Sequence, residues 1–252
     1  MSRTLSEQLG FKPDPHAPEH ITHGGQKLTR VYTKGGHELD SQQKGLPVYH
    51  RRIANPYPVF AIGIGASLLT LGLVFVEARG LQNPQILLNI GLPLGGIGVM
   101  TAAMFSFAEG NTFLATAAGT LAGLVGGISL VFLPWTGIQQ AYLEEANGDV
   151  VMGLAELNKA VAFLFFGAMI PVFGLLLASF KTAIPLSISA LLIVIALIIQ
   201  GTAYLNPMVS LTKTAGALFI IVGILLFYSA TAVLLQEEGV KILPVLPLPR
   251  ME

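Results

Sequence analysis

The chain has 252 residues, of which 53% are hydrophobic and 11% charged, against about 25% charged in soluble domains. Its mean hydropathy is +0.69, which excludes a single water-soluble core and points to an integral membrane protein. The formal net charge is zero and cysteine is absent, so nothing suggests a nucleic-acid partner, and disulfides, thiolate catalysis and cysteine zinc sites are excluded.

Residues 1–55 differ from the rest. They hold eight of the 14 Lys+Arg and all five His, and they show no sustained period of 3.6 or 2. A flexible tail is predicted. His16, His20 and His23 are near enough to suggest a metal site. Pro18 would break the helix that such spacing needs, so a solvated tail without metal is preferred. The start, MSRTLSEQLGFKPDPH, lacks the short apolar region of a cleavable signal. The first apolar run, near Pro58, is expected to act as an uncleaved signal-anchor.

Six continuous apolar runs follow, at 58–77, 86–107, 112–134, 157–180, 183–205 and 214–236. Each approaches the ~20 residues with which a helix crosses ~30 Å of hydrocarbon. Their interiors avoid charge, which costs roughly 2.5–3.5 kcal/mol per residue at mid-membrane. Strict alternation is absent, which excludes barrel strands. The predicted class is therefore an all-α membrane protein: a six-transmembrane-helix bundle over 56–238, a tail at 1–55 and a short tail at 239–252. Arg51, Arg52, Lys181, Lys241 and Arg250 fall on the side of the termini; Arg79, Lys159 and Lys213 fall on the other. The excess of positive charge predicts both termini in the cytosol. The loop at 135–156 then lies outside, with Trp135 as an interfacial anchor.

In the third run Ala115, Gly119, Gly123 and Gly127 recur every four residues. They share one helix face; the second run adds Gly91, Gly95, Gly96 and Gly98, and small residues at these positions allow a close approach of helices or of subunits. Pro93, Pro171 and Pro185 interrupt the second, fourth and fifth runs and can kink them.

No Walker loop, His-Glu-x-x-His or Gly-x-Ser-x-Gly occurs, so neither an enzyme nor a self-powered ATPase is expected, and no cofactor is implied. The polar residues within the runs are Asn, Gln, Ser, Thr and Tyr. Glu77 and Glu109 lie at run ends. An uncharged passage for a small solute fits this inventory better than a cation pump.

Three stretches carry a family resemblance. ANPYPVFAIG (Ala54–Gly63) is similar to the Asn-Pro-x-Pro-Leu-Gly-Leu signature of the acetate uptake transporters, which include bacterial acetate–succinate permeases and fungal acetate permeases. GNTFLATA (Gly110–Ala117) resembles their Gly-Asn-Thr-Phe-Gly-x-Thr-Ala, and FLPWTGIQQAY (Phe132–Tyr142) resembles the fungal Ile-Pro-Trp-Phe-Gly-Ile. The resemblance implies a six-span protomer with its own passage, assembled as a homo-oligomer, hexameric in the family, in the plasma membrane. It implies a small carboxylate as solute, acetate or a similar monocarboxylate, with proton-linked or channel-like movement.

Carried over residue by residue, the resemblance places Asn55, Pro56, Pro58, Asn111, Thr112, Phe113, Thr116 and Tyr228 on the substrate passage. The family's hydrophobic constriction falls on Ile64, Leu121 and Ile193, all aliphatic here, and three of its polar positions fall on Val99, Ser106 and Thr202. Asn55 and Asn111-Thr112 have two readings: a polar vestibule at the inner mouth, where free helix N–H groups favour an anion, or simple helix caps. Beside the carboxylate transporter stand two alternatives: a divergent non-transporting sensor or scaffold, and transport of another small solute such as ammonium.

Overall fold

A computed structural model describes residues 20–23, 26–29 and 54–245, apart from Gln82, Asn147, Lys181 and Lys241. The chain divides into two units, 1–53 and 54–252. In the first, β1 (His20–His23) pairs antiparallel with β2 (Gln26–Thr29), and Ile21 stands opposite Leu28. Four-residue strands are too short to show a period. His16 lies outside the described residues.

The second unit holds six helices long and apolar enough to cross a membrane: α1 (Tyr57–Phe75), α2 (Pro84–Glu109), α3 (Thr112–Phe132), α5 (Val150–Ser179), α6 (Ile184–Leu205) and α7 (Val209–Glu237). A short α4 (Ile138–Glu145) lies between α3 and α5. The protein is thus an all-α, multi-pass membrane protein.

Local chemistry sets the starts. The Tyr57 N–H donates to Asn55 Oδ1 at 3.0 Å, and Pro58 occupies the first turn of α1, where its missing N–H costs nothing. Asn111 Oδ1 accepts from the Leu114 N–H at 3.0 Å and caps α3. Asp149 accepts from the N–H groups of Val151 and Met152. That cap starts α5 at Val150, well before the apolar run that begins at 157. Pro185 does not interrupt α6 as expected. It sits in the first turn, where proline fits without a kink. Pro171 is internal to α5. Pro93 falls in Gly91–Gly98, where α2 is wound as a π-helix; the wider winding accommodates a residue with no N–H to donate.

The closest helix contacts include Gly91 and Gly95 on α2, where an added Cβ would run into Ser129 Oγ and Ser67 Oγ, and a seam between α1 and α7 that lies outside the α3 stripe. Gly65 and Gly72 on α1 meet Gly223 and Gly216 on α7. A Cβ on Gly72 would stand 2.6 Å from the Gly216 carbonyl oxygen, and one on Gly223 would stand 2.9 Å from that of Gly65. The pairs run in opposite order along the two helices, as antiparallel neighbours require. Their seven-residue spacing keeps both on one seam. By contrast, Gly123 and Gly127 on α3 have nothing within 4 Å. Within one subunit this end of the α3 stripe is open, while Ala115 at its other end is fully buried.

Candidate functional site

Cavities among the described residues run along the bundle. The near cavity, of about 330 Å³, is beside the start of α1; Asn55, Tyr57, Glu109, Asn111, Phe113 and Ser229 are among its walls. The far cavity, of about 360 Å³, is walled by Glu77, Asn158, Gln200, Tyr204 and Thr212 among others. Two small apolar cavities, of about 30 and 40 Å³, form a waist between them.

Shared walls connect these spaces. Phe113 and Leu186 border both the near cavity and the first waist cavity. Leu121, Val172 and Ile193 border both waist cavities. At the other end two aromatic pairs divide the waist from the far cavity. Phe165 stacks on Tyr204 with ring centres 5.6 Å apart, and Phe75 tilts against Phe219 at 6.2 Å. Phe165 and Phe219 face the waist, while Phe75 and Tyr204 face the far cavity.

Helical period explains how the sequence builds this line. Phe113, Ala117 and Leu121 recur every four residues on α3, and Ser189, Ile193 and Leu197 do so on α6. Residues four apart share a face, so each helix offers one stripe to the cavities. At the near end the Tyr57 hydroxyl is hydrogen-bonded to Ser229 Oγ, tying α1 to α7. Asn55 Nδ2 donates to Glu237 Oε1 at 3.4 Å. At the far end the Lys213 ammonium pairs with the Glu77 carboxylate at 2.9 Å.

The structure brings some of the expected site residues together and not others. Ile64, Leu121 and Ile193 all line one waist cavity. Asn55, Asn111 and Phe113 line the near cavity. Both asparagines also cap their helices through Oδ1, so the cap and vestibule readings coexist. Pro56 and Pro58 are buried at the head of α1 without reaching the cavity wall. Thr112 and Thr116 sit on the exposed side of α3, and the Thr116 hydroxyl donates back to the Thr112 carbonyl at 2.8 Å. They are one residue from the stripe Phe113–Ala117, and about 100° per residue turns them away from it. Tyr228 is turned away for the same reason, with its neighbour Ser229 on the cavity. Its hydroxyl donates instead to the Pro244 carbonyl at 2.9 Å, folding the chain back after α7.

Several lining residues were not placed on the passage by the sequence reading, although Gln200, Tyr204 and Ser229 stand among the polar residues of the runs. Tyr57 and Ser229 meet across 172 positions, and no local pattern signals such a pair. Gln200 and Tyr204 stand four apart in an apolar run; polar residues held inside a membrane helix are themselves a signal.

The family described as "GPR1/FUN34/yaaH family" matches residues 37–250. "Accumulation of dyads protein 2" of Saccharomyces cerevisiae is 25% identical over 237 residues, spanning 93% of this chain and 80% of that protein. "Ammonia transport outward protein 2" of the same organism is 26% identical over 216 residues, spanning 85% and 73%. The solved structure titled "Structure of the bacterial acetate channel SatP" superposes with a TM-score of 0.65 at 21% identity, covering 77% of this chain and 99% of that one. The likeness to that structure concerns the fold alone. With a family match across most of the chain and this shared fold, the chain belongs to the GPR1/FUN34/yaaH family, the acetate uptake transporters that its Asn-Pro and Gly-Asn-Thr-Phe signatures resemble.

Proposed function

We propose that the protein moves small monocarboxylic acids such as acetate across the plasma membrane, with both termini in the cytosol and the near cavity as the inner mouth. One observation carries this reading: two cavities with polar side chains in their walls stand at opposite ends of one bundle, with a narrow apolar waist between them. Ile64, Leu121 and Ile193 would act as the constriction, and Asn55, Asn111 and Phe113 would receive the solute.

The waist decides the form of the solute. Transferring a carboxylate-sized ion into a medium of low dielectric costs several kcal/mol in a real protein and about 20 in the ideal case. Protonating a carboxyl of ordinary pKa at pH 7 costs about 4 kcal/mol. The neutral acid is the cheaper traveller, so net movement carries a proton with each carboxylate. The open face of α3 at Gly123 and Gly127 supports assembly with further copies of the chain, since small residues favour close helix association in lipid.

A second reading, ammonium transport, draws on the carboxylates of Glu109 and Glu77 at the two mouths and on the name of one yeast relative. Influx of labelled acetate into liposomes holding the purified protein separates the readings. Flux that rises as external pH falls, and that propionate inhibits, is expected. Methylammonium flux without acetate flux would favour the second reading. No flux of either would favour a sensor or scaffold.

A further inference from the structure

Eight polar side chains are buried among the described residues, and six of them have a partner. Ser67, Ser106 and Ser129 donate to the carbonyl one helical turn back, at 2.8, 2.7 and 2.8 Å. The exceptions are Ser189 Oγ and Gln200 Oε1, in residues only 1% and 2% exposed. Unpaired buried polar atoms are uncommon because desolvation is not repaid. Both of these lie on α6. At about 100° and 1.5 Å per residue they fall within about 20° of one another around the helix, and about 16 Å apart along it. Ser189 walls the waist cavity nearer Asn111, and Gln200 walls the far cavity. Ile193 and Leu197, between them, line the waist.

From this placement we infer that Gln200 and Ser189 are two recognition stations for an undissociated carboxylic acid, one on each side of the apolar waist. The inference rests on the transport reading above. A primary amide and a carboxylic acid are complementary: the amide carbonyl accepts the acid O–H, and the amide N–H donates to the acid carbonyl. Rotation about the last side-chain bond of Gln200 presents either amide atom to the cavity without backbone movement. A carboxylate has only acceptors, so it leaves Oε1 unpaired and sets like partial charges together. The far cavity offers an anion no cation, only the neutral donors of Asn158, Tyr204 and Thr212, since the charged side chain among its described walls is Glu77, already held by Lys213. Ser189, whose hydroxyl both donates and accepts, receives the acid at the other end. The acid therefore meets a partner at either end of α6 and none between, where the neutral form alone crosses cheaply. Ammonium shares the donor chemistry but not the acceptor, and the assay below separates the two.

Acetamide has the shape of acetic acid, donates through its NH₂ and stays neutral at all working pH values. Methyl acetate keeps the carbonyl but donates nothing. In liposomes with the full-length protein, acetamide is expected to compete with labelled acetate and methyl acetate is not. Gln200→Met, of similar volume, should weaken acetamide competition about tenfold or more, and Ser189→Ala about threefold, the scale of one buried hydrogen bond. Gln200→Glu supplies a matching partner only while protonated. Relative to wild type, its flux should survive at acidic pH and fall as pH rises through the new carboxyl's pKa, whereas a merely structural defect lowers that ratio equally at every pH. Unchanged acetamide potency in Gln200→Met overturns the inference, as does stronger competition by methylammonium than by acetamide. Binding of acetamide to the purified protein, followed by saturation-transfer NMR, is read separately. Gln200-dependent binding with no acetate flux would sink the transport reading and leave the station standing; flux without Gln200 dependence would do the reverse.

Discussion

Adding one methyl group at Gly72 would place a carbon 2.6 Å from the Gly216 carbonyl oxygen and 2.8 and 2.9 Å from two atoms of Ile220. Ordinary contact begins near 3.4 Å, so the shortfall is about 0.8 Å. The nearest atom belongs to the backbone and cannot rotate aside, so α1 and α7 must part. Overpacking of this kind costs about 1–3 kcal/mol. The separation also weakens contacts along the rest of the seam, because a gap of 0.5–1 Å forfeits a quarter to a half of each. A loss of about 2–3 kcal/mol is expected for Gly72→Ala, seen as a melting point lower by about 5 °C or more in detergent. Gly123→Ala is the control. Its new methyl meets nothing within 4 Å, and alanine is the better helix former by about 1 kcal/mol, so a dispersed subunit should melt no earlier than wild type. The reasoning fails if Gly72→Ala melts with wild type, or if Gly123→Ala costs a dispersed subunit as much.

Other substitutions probe the line of cavities. Leu121 borders both waist cavities; Leu121→Ala should merge them, admit acids one or two carbons longer than acetate, and cost about 2 kcal/mol or more of stability. Competition of butyrate against labelled acetate checks the widening. Asn111→Ala removes the cap on the Leu114 N–H and should cost about 1 kcal/mol. Asn111→Ser should restore that stability, measured by the same melting assay.

The six spans were legible because each is a continuous apolar run, and the end of α2 and start of α3 were legible in Gly110-Asn111-Thr112, where an αL glycine precedes a capping asparagine. Asp149 carried an equally local start signal. It was obscured by the polar residues that follow, Glu156, Asn158 and Lys159, which a count of apolar residues reads as loop. Helix pairing was legible only in part. Gly91 and Gly95 of the second run do sit in close contacts, yet the seam between α1 and α7 uses Gly65, Gly72, Gly216 and Gly223, whose relation exists only once those helices are neighbours. The same limit hid Tyr57 with Ser229. The waist positions came from resemblance to a family rather than from period, while Thr112, Thr116 and Tyr228 fell one residue, about 100°, off the lining stripes.

The waist also has an electrical meaning. Its cavities hold about 30 and 40 Å³ and are walled by hydrocarbon apart from Ser67, Ser179 and Ser189. A water occupies roughly 30 Å³ in the liquid and needs two to four polar partners when buried. Ser67 already spends its proton on the Gly63 carbonyl. Two such small cavities leave little room for a file of waters along which protons could hop. On the transport reading proposed above, the waist is then a dielectric plug, and conductance that appears with solute present would report the solute's own transit.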